Sequence, residues 1–162
     1  MRAYVAVGTN LGDRWMRLAR AAQALRTVPD IAVLRASRVY DTAPVGPPQP
    51  RYLNAVLEIE TTRTPRALLE VLQATEQAAG RTRHVHWGAR TLDLDLLLAG
   101  ERVIREPRLT VPHPEIENRR FVLAPLADLV PDIVVPDIGR TVRQLLEAAP
   151  PLDLRDVGGY PL

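Results

Sequence analysis

Apolar and polar positions change period several times along the chain, and each change marks an element. Ala3-Tyr4-Val5-Ala6-Val7 is an unbroken apolar run ending at Gly8, the pattern of a buried central strand. Gly8-Thr9-Asn10-Leu11-Gly12-Asp13 is a tight polar turn. Asp13 is placed to cap a helix in which Trp15, Leu18, Ala22 and Leu25 recur at helical spacing. Pro29-Asp30 breaks that helix, and the β-branched, apolar-rich segment from Ile31 to Tyr40 predicts a second strand. Pro44-Val45-Gly46-Pro47-Pro48-Gln49-Pro50 has too many prolines for a regular element and predicts a stiff loop. From Tyr52 to Glu60 the period is two: Leu53, Ala55, Leu57 and Ile59 point one way, Tyr52, Asn54, Val56 and Glu58 the other. Thr64-Pro65 opens a helix through Leu68, Leu69 and Leu72 to Gly80 as its C′ glycine. Arg81 to Arg90 is a basic loop and Thr91 to Leu98 a strand. Proline-punctuated segments come next, with a short apolar stretch from Phe121 to Leu129, a last helix from Thr141 to Ala149 and a Pro/Gly-rich tail from Pro150 to Leu162.

The order βαββαβ with a C-terminal extension predicts an α+β, ferredoxin-like architecture: one antiparallel sheet with two helices on one face. At 162 residues the chain is expected to be a single domain, 1–162, with a core of about 1–130 and an extension of about 131–162. That length can bury a core without disulfides or structural metal.

Composition narrows the chemistry. Lys+Arg 21 against Asp+Glu 19 leaves a net charge of +2, too small a surplus for a nucleic-acid or membrane-surface binder driven by bulk electrostatics. All 21 cations are arginine, so a Walker-A lysine, a Schiff base and an amine nucleophile are excluded. The absence of cysteine excludes thiolate catalysis, Cys-ligated zinc and iron–sulfur clusters. Ser37, the only serine, does not sit in a nucleophile elbow. Met1-Arg2-Ala3 runs straight into the first strand without a signal-peptide pattern, and no apolar run nears the ~18 residues of a membrane span. A soluble cytoplasmic protein is expected, with any phosphate chemistry resting on arginine, metal and backbone.

The sharpest local pattern is Arg90-Thr91-Leu92-Asp93-Leu94-Asp95-Leu96. On a strand the leucines face one side and both acids the other, ~6.5–7 Å apart. Two carboxylates so placed suit Mg²⁺, which leaves its remaining positions to water and substrate phosphates. A bare D-x-D is also what a half-solvated strand face shows; here the strand is otherwise strongly apolar, which favours a shared cation. The preceding loop reverses the charge with Arg81, Arg83, His84, His86 and Arg90. Guanidinium forks bind phosphate oxygens, so an acidic metal site flanked by arginines is what a polyphosphate substrate demands, although any one of these arginines is equally a solvated loop residue. Trp87 in so polar a loop must cover something, a ring or the core. Pro112-His113-Pro114 holds a histidine on a rigid backbone. Tyr52 and Asn54 on one strand face can stack on a flat heterocycle and hydrogen-bond its edge, or be an ordinary aromatic and a solvated amide.

Together these segments resemble the 6-hydroxymethyl-7,8-dihydropterin pyrophosphokinase family, over roughly residues 3 to 130. Gly8-Thr9-Asn10-Leu11-Gly12 is similar to its G-S-N-L-G opening, and Ser37-x-x-Tyr40-x-Thr42-x-Pro44-x-Gly46 to its S-x-x-Y-x-T-x-P-x-G segment. Tyr52-Leu53-Asn54, Glu76-x-x-x-Gly80-Arg81-x-Arg83, Trp87-Gly88-Ala89-Arg90-Thr91-Leu92-Asp93-Leu94-Asp95, Pro112-His113-Pro114 and Arg119-x-Phe121 come in the family's order. The resemblance implies that Asp93 and Asp95 hold two Mg²⁺ on the triphosphate of ATP, and that Arg81 and Arg90 assist transfer. It implies Gln73, Glu76, Arg83, Arg108, Thr110, His113 and Arg119 on the nucleotide and phosphate side. On the pterin side it implies Tyr52 and Phe121 as the sandwich, Asn54 on the ring edge, backbone at Thr42, Pro44 and Val45, and Trp87 closing over the ring. Ala89 stands in place of the family's proline, Thr9 of its serine and His84 of its loop lysine. The implied reaction passes a diphosphoryl group from ATP to the hydroxymethyl oxygen of the pterin, releasing AMP, in a monomer with no nucleic-acid or membrane partner. Two other readings compete. A D-x-D nucleotide-sugar transferase usually needs a longer chain and leaves Tyr52, Asn54 and Phe121 unexplained. An RNA-binding ferredoxin-like domain calls for aromatics on central strands, and aromatics are only 4% of this chain.

Overall fold

The fold is carried by an antiparallel sheet clad with helices on both faces. The computed structural model describes residues 1–80 and 92–162. Its elements in chain order are β1 (Arg2–Thr9), α1 (Arg14–Arg26), β2 (Ile31–Ala36), β3 (Arg38–Thr42), β4 (Tyr52–Thr61), α2 (Pro65–Gly80), β5 (Asp93–Ala99), β6 (Ile104–Glu106), β7 (Leu109–Val111), a 3₁₀ turn (Ile116–Asn118), α3 (Arg120–Leu129), α4 (Val142–Ala148) and β8 (Leu154–Gly159). The main sheet runs β5-β1-β4-β3-β8, with β2 pairing the far half of β4, and every pairing within it is antiparallel. β6 and β7 form a separate hairpin.

Local chemistry starts the helices where the sequence predicts. Asp13 caps α1, accepting the Met16 N–H at 3.1 Å. The Thr64 hydroxyl accepts from Ala67 N–H, with Pro65 at the first helical position of α2. Thr141 and Gln144 close a reciprocal capping box at the start of α4. α2 includes Gly80 as its last described residue, where a stop just before it is expected. Thr91 and the loop 81–90 lie outside the described residues.

The alternation along β4 divides the core in two. Leu53, Ala55, Leu57 and Ile59 join Val5, Val7, Leu94 and Leu96 beneath Leu18 and Leu25 of α1 and Leu68 and Leu72 of α2. Tyr4, Ala6, Val56, Leu97 and Leu98 face the other way, under Val122, Leu123 and Leu126 of α3 and Val142 and Leu145 of α4. The two helices expected on one face are α1 and α2, and α3 and α4 cover the other face in addition. The apolar stretch 121–129 carries its hydrophobic residues at helical spacing and covers part of the second face.

Two further expectations change. The single strand expected from Ile31 to Tyr40 is two, because the register advances by one residue between the pairs Ala36–Leu57 and Tyr40–Asn54. At the break the Ser37 hydroxyl accepts the Val56 N–H at 2.8 Å, so the interruption leaves that amide satisfied. The Pro/Gly-rich tail is not irregular throughout: β8 pairs the open edge of β3, and the Tyr160 hydroxyl donates to the Leu18 carbonyl of α1 at 2.5 Å.

One row on the second face is ionic. Glu58, only 2% exposed, stands between Tyr4 on β1 and Arg35 on β2. Arg35 donates to both its carboxylate oxygens at 2.9 Å, and the Tyr4 hydroxyl donates at 2.8 Å. The Arg35 hydrogen bonds, joined by that of Tyr4, hold the Glu58 carboxyl below its ordinary range against the effect of burial. Burial and the bond to Glu58 push the Tyr4 hydroxyl up to about 12. A carboxyl whose pKa is lower folded than unfolded stabilises the fold above its unfolded pKa, and that contribution fades as pH falls through the folded value. Glu58→Gln is therefore expected to cost about 2 kcal/mol at pH 7. The difference from the parent protein should shrink steadily below about pH 4.5 in urea titrations. A cost that does not change with pH would separate the effect from the carboxylate charge.

Candidate active site

Where α3 and α4 leave the second face uncovered, a cavity of about 490 Å³ opens over β3, β4, β1 and β5. Antiparallel register sets its floor. Gly8 pairs with Asn54 on one side and with Asp93 on the other, and Asn54 pairs in turn with Tyr40. Directly paired residues share a face, so Asp93, Gly8, Asn54 and Tyr40 form one row across four strands. The next row runs Asp95–Ala6–Val56. In both rows the central strand contributes its smallest side chains, and the space they leave is the cavity.

At one end of the floor the Asn54 amide donates to the Thr42 hydroxyl at 2.8 Å. A Cβ added at Gly8 would stand 2.7 Å from the Asn54 Oδ1, closer than real contacts allow, so glycine keeps that amide in place. Tyr52 lines the cavity beside it, its hydroxyl donating to the Gln49 Oε1 at 3.3 Å. The Asn10 amide donates to the same oxygen and to the Pro50 carbonyl, both at 3.0 Å. The first turn of the chain thereby anchors the proline loop.

At the other end Asp93 and Asp95 both line the cavity, while Leu94 and Leu96 are buried in the opposite core. The Glu76 carboxylate of α2 accepts the Leu94 N–H at 2.8 Å, fixing the backbone between the two acids. Arg119 lies 3.9 Å from the Asp95 carboxylate, and its guanidinium carbon is 5.7 Å from the centroid of the Phe121 ring. His113 is held by its backbone, whose N–H donates to the Leu97 carbonyl at 3.0 Å, while its Nδ1 accepts the Glu115 N–H at 3.1 Å. Burial lowers the imidazole pKa against the opposing pull of Asp95. Among the described residues no group of three or more His, Asp or Glu side chains comes together as a metal centre, which leaves the acid pair.

Of the residues singled out from sequence, Thr42, Val45, Tyr52, Asn54, Asp93, Asp95, Arg119 and Phe121 line this one cavity. Pro44 sits in the same loop, between two lining residues. Gln73, on the exposed side of α2, and Arg108 and Thr110, on the β6–β7 hairpin, are not among its lining residues. Arg81, Arg83, Trp87 and Arg90 lie outside the described residues. Ala6, Gly8, Gln49, Glu115 and Asn118 line the cavity without having been foreseen. Strand alternation on β1 could have found the first two.

The comparisons with known proteins agree with one another. The family model described as 7,8-dihydro-6-hydroxymethylpterin-pyrophosphokinase (HPPK) matches residues 4–131. The chain is 45% identical over 150 residues to the 2-amino-4-hydroxy-6-hydroxymethyldihydropteridine pyrophosphokinase of Pseudomonas aeruginosa, covering 92% of each chain. It is 40% identical over 157 residues to the enzyme of that name from Methylorubrum extorquens, covering 96% of this chain and 98% of that one. Its fold is similar to a crystal structure of a Plasmodium falciparum HPPK-DHPS variant with SDX-DHP, at a TM-score of 0.71 and 14% identity. That match covers 90% of this chain and 45% of the other, so the chain spans less than half of the fused protein.

Gly8→Ala is expected to push the Asn54 amide off the Thr42 hydroxyl and to lower stability by roughly 1–2 kcal/mol. Thermal unfolding and the side-chain amide resonance of Asn54 report the two effects. An unmoved resonance would mean that the added methyl is accommodated elsewhere.

Proposed function

The chain belongs to the 7,8-dihydro-6-hydroxymethylpterin-pyrophosphokinase family, and from that premise we propose how its own residues share the work. The activity is that of an ATP-dependent pyrophosphokinase of folate biosynthesis. A bond forms from the pterin hydroxymethyl oxygen to the β-phosphorus of ATP, the bond from that phosphorus to the α,β-bridging oxygen breaks, and AMP leaves. The hydroxyl proton is released in the same exchange.

The single observation that carries the assignment of parts is that Asp93 and Asp95 share one cavity with Tyr52, Asn54 and Phe121. In this reading Tyr52 and Phe121 hold the pterin between their rings, and the Asn54 amide, oriented by Thr42, bonds its edge. Backbone at Thr42, Pro44 and Val45 completes that side. The acid pair fits magnesium: two hard carboxylates on one strand face, beside Gly8 and Ala6, with room for substrate oxygens. The cation at 3.9 Å from Asp95 is Arg119, a side chain that can move to phosphate when metal takes its place. Two Mg²⁺ bound there would neutralise polyphosphate charge and activate the attacking oxygen. Arg119 and His113 then face the phosphates, with His113 as a neutral donor near pH 7. Glu76 keeps the acids in position through the Leu94 amide. Arg81, Arg83 and Arg90 are assigned to the phosphates, and Trp87 to closure over the pterin, on their motif positions alone. Gln73, Arg108 and Thr110 are assigned to the nucleotide on the same ground.

The order β5-β1-β4 followed by the β2/β3 pair supports the ferredoxin-like reading of the sheet. The return of β8 to β3 supports one domain over 1–162. We further propose a cytoplasmic monomer; among the described residues no helix is long and apolar enough to cross a membrane.

The direct test is to mix protein, Mg²⁺, ATP and 6-hydroxymethyl-7,8-dihydropterin and to measure AMP. Release that depends on the pterin is expected, and AMP formation indifferent to it would defeat the reading. Asp93→Ala or Asp95→Ala should abolish transfer and weaken Mn²⁺ binding while leaving the circular dichroism spectrum unchanged. Turnover near that of the parent protein in either variant would reject the metal assignment. Arg81→Ala and Arg90→Ala should lower kcat by about two orders of magnitude or more with pterin affinity nearly unchanged.

A further inference from the structure

Tyr40 belongs to a sequence motif but does not line the cavity. It stands at the end of the row Asp93–Gly8–Asn54–Tyr40, two residues before Thr42 on the same face of β3. Its hydroxyl donates to both carboxylate oxygens of Asp128, at 3.0 and 2.9 Å, and Asp128 also accepts the Arg38 N–H at 3.2 Å. Burial and the adjacent carboxylate push the Tyr40 hydroxyl pKa upward, so it stays a donor throughout the working range.

Asp128 closes the last turn of α3, and Phe121 opens the first. Seven residues apart, they share one face of the helix, with Asp128 meeting Tyr40 of β3 and Phe121 lining the cavity. They are separated by ~10 Å of helix axis. Phe121 lines the same cavity as the Asn54 amide that Thr42 orients. β3 therefore sets both sides of one binding place: Thr42 fixes the amide directly, and Tyr40 fixes the seat of the helix that carries the ring.

We propose that Tyr40, through its hydrogen bond to Asp128, is a positioning residue that sets the distance between the Phe121 ring and the Asn54 edge donor. The proposal rests on the reading of Phe121 as a pterin-stacking residue. Tyr40 touches no substrate; it acts through α3. Without the hydroxyl, the end of α3 keeps the Arg38 N–H on Asp128, the Arg35 guanidinium of β2 on the Leu129 carbonyl at 3.3 Å and its packing, but it loses its side-chain tie to β3, and a small tilt there moves the ring at the other end.

The experiment is a double-mutant cycle on pterin affinity, with Mg²⁺ and the non-hydrolysable α,β-methylene-ATP present throughout. Phe121→Ala alone should weaken pterin binding; if it does not, the stacking assignment fails and the proposal falls with it. Tyr40→Phe should weaken pterin binding roughly 3- to 10-fold in the parent protein, the equivalent of one net hydrogen bond, but by less than about 1.5-fold in the Phe121→Ala background. Equal losses in both backgrounds, or none in the parent, would overturn the positioning role while leaving the stacking assignment intact. A second pair of variants avoids dependence on the folding of Tyr40→Phe. Asp128→Asn keeps an acceptor and should stay within about twofold of the parent, whereas Asp128→Val should lose as much as Tyr40→Phe. Equal affinities for these two would also overturn the proposal.

Discussion

Antiparallel register is the constraint on which the site depends. Because side chains of paired residues emerge on one face, the pairing Asp93–Gly8–Asn54–Tyr40 fixes four positions from four separate segments of the chain in one line. A slip of one residue in any of these ladders would send an acid or an amide into the apolar core. The alternation is held by the layer beneath: Val5, Val7, Leu53, Ala55, Leu94 and Leu96 are buried under α1 and α2, and a slip of one residue would expose them. The packed face thus determines the chemistry of the open one.

The open face is divided along its length. Toward the cavity its strand residues are small or polar, and toward the other end the row of Tyr4, Glu58 and Arg35 is closed by mutual hydrogen bonds. Between them α3 and α4 cover the apolar part. One sheet face therefore serves as ionic seal, hydrophobic core and binding floor in succession. The three differ in the size and charge of residues spaced two apart on β1, β4 and β5.

The parts legible in the sequence are those set by short-range rules. Caps at Asp13 and Thr64, the alternation from Tyr52 to Glu58 and the shared face of Asp93 and Asp95 arise from period and from local hydrogen bonding. The features that sequence reading misses depend on distant partners. Nothing local announces that 154–159 will pair β3, since the segment carries two glycines and little β-branched character; the unpaired edge of β3 recruits it. The break at Ser37 is likewise invisible without its partner amide on Val56. Ala6 reads as core in the sequence because a central strand looks apolar whichever side it serves, and Gly8 reads as the start of a turn although β1 continues through it to Thr9. Their smallness has meaning only beside Asn54, Asp93 and Asp95.

The strand that closes the sheet has a consequence outside catalysis. β8 occupies the hydrogen-bonding edge of β3, and Tyr160 fastens the end of the chain to α1. Stripped of that cover, β3 would offer a ladder of open amides and carbonyls to any passing chain, the usual beginning of self-association. β8 puts in its place a short edge that carries Arg155, Asp156 and two glycines, a poorer template for another strand.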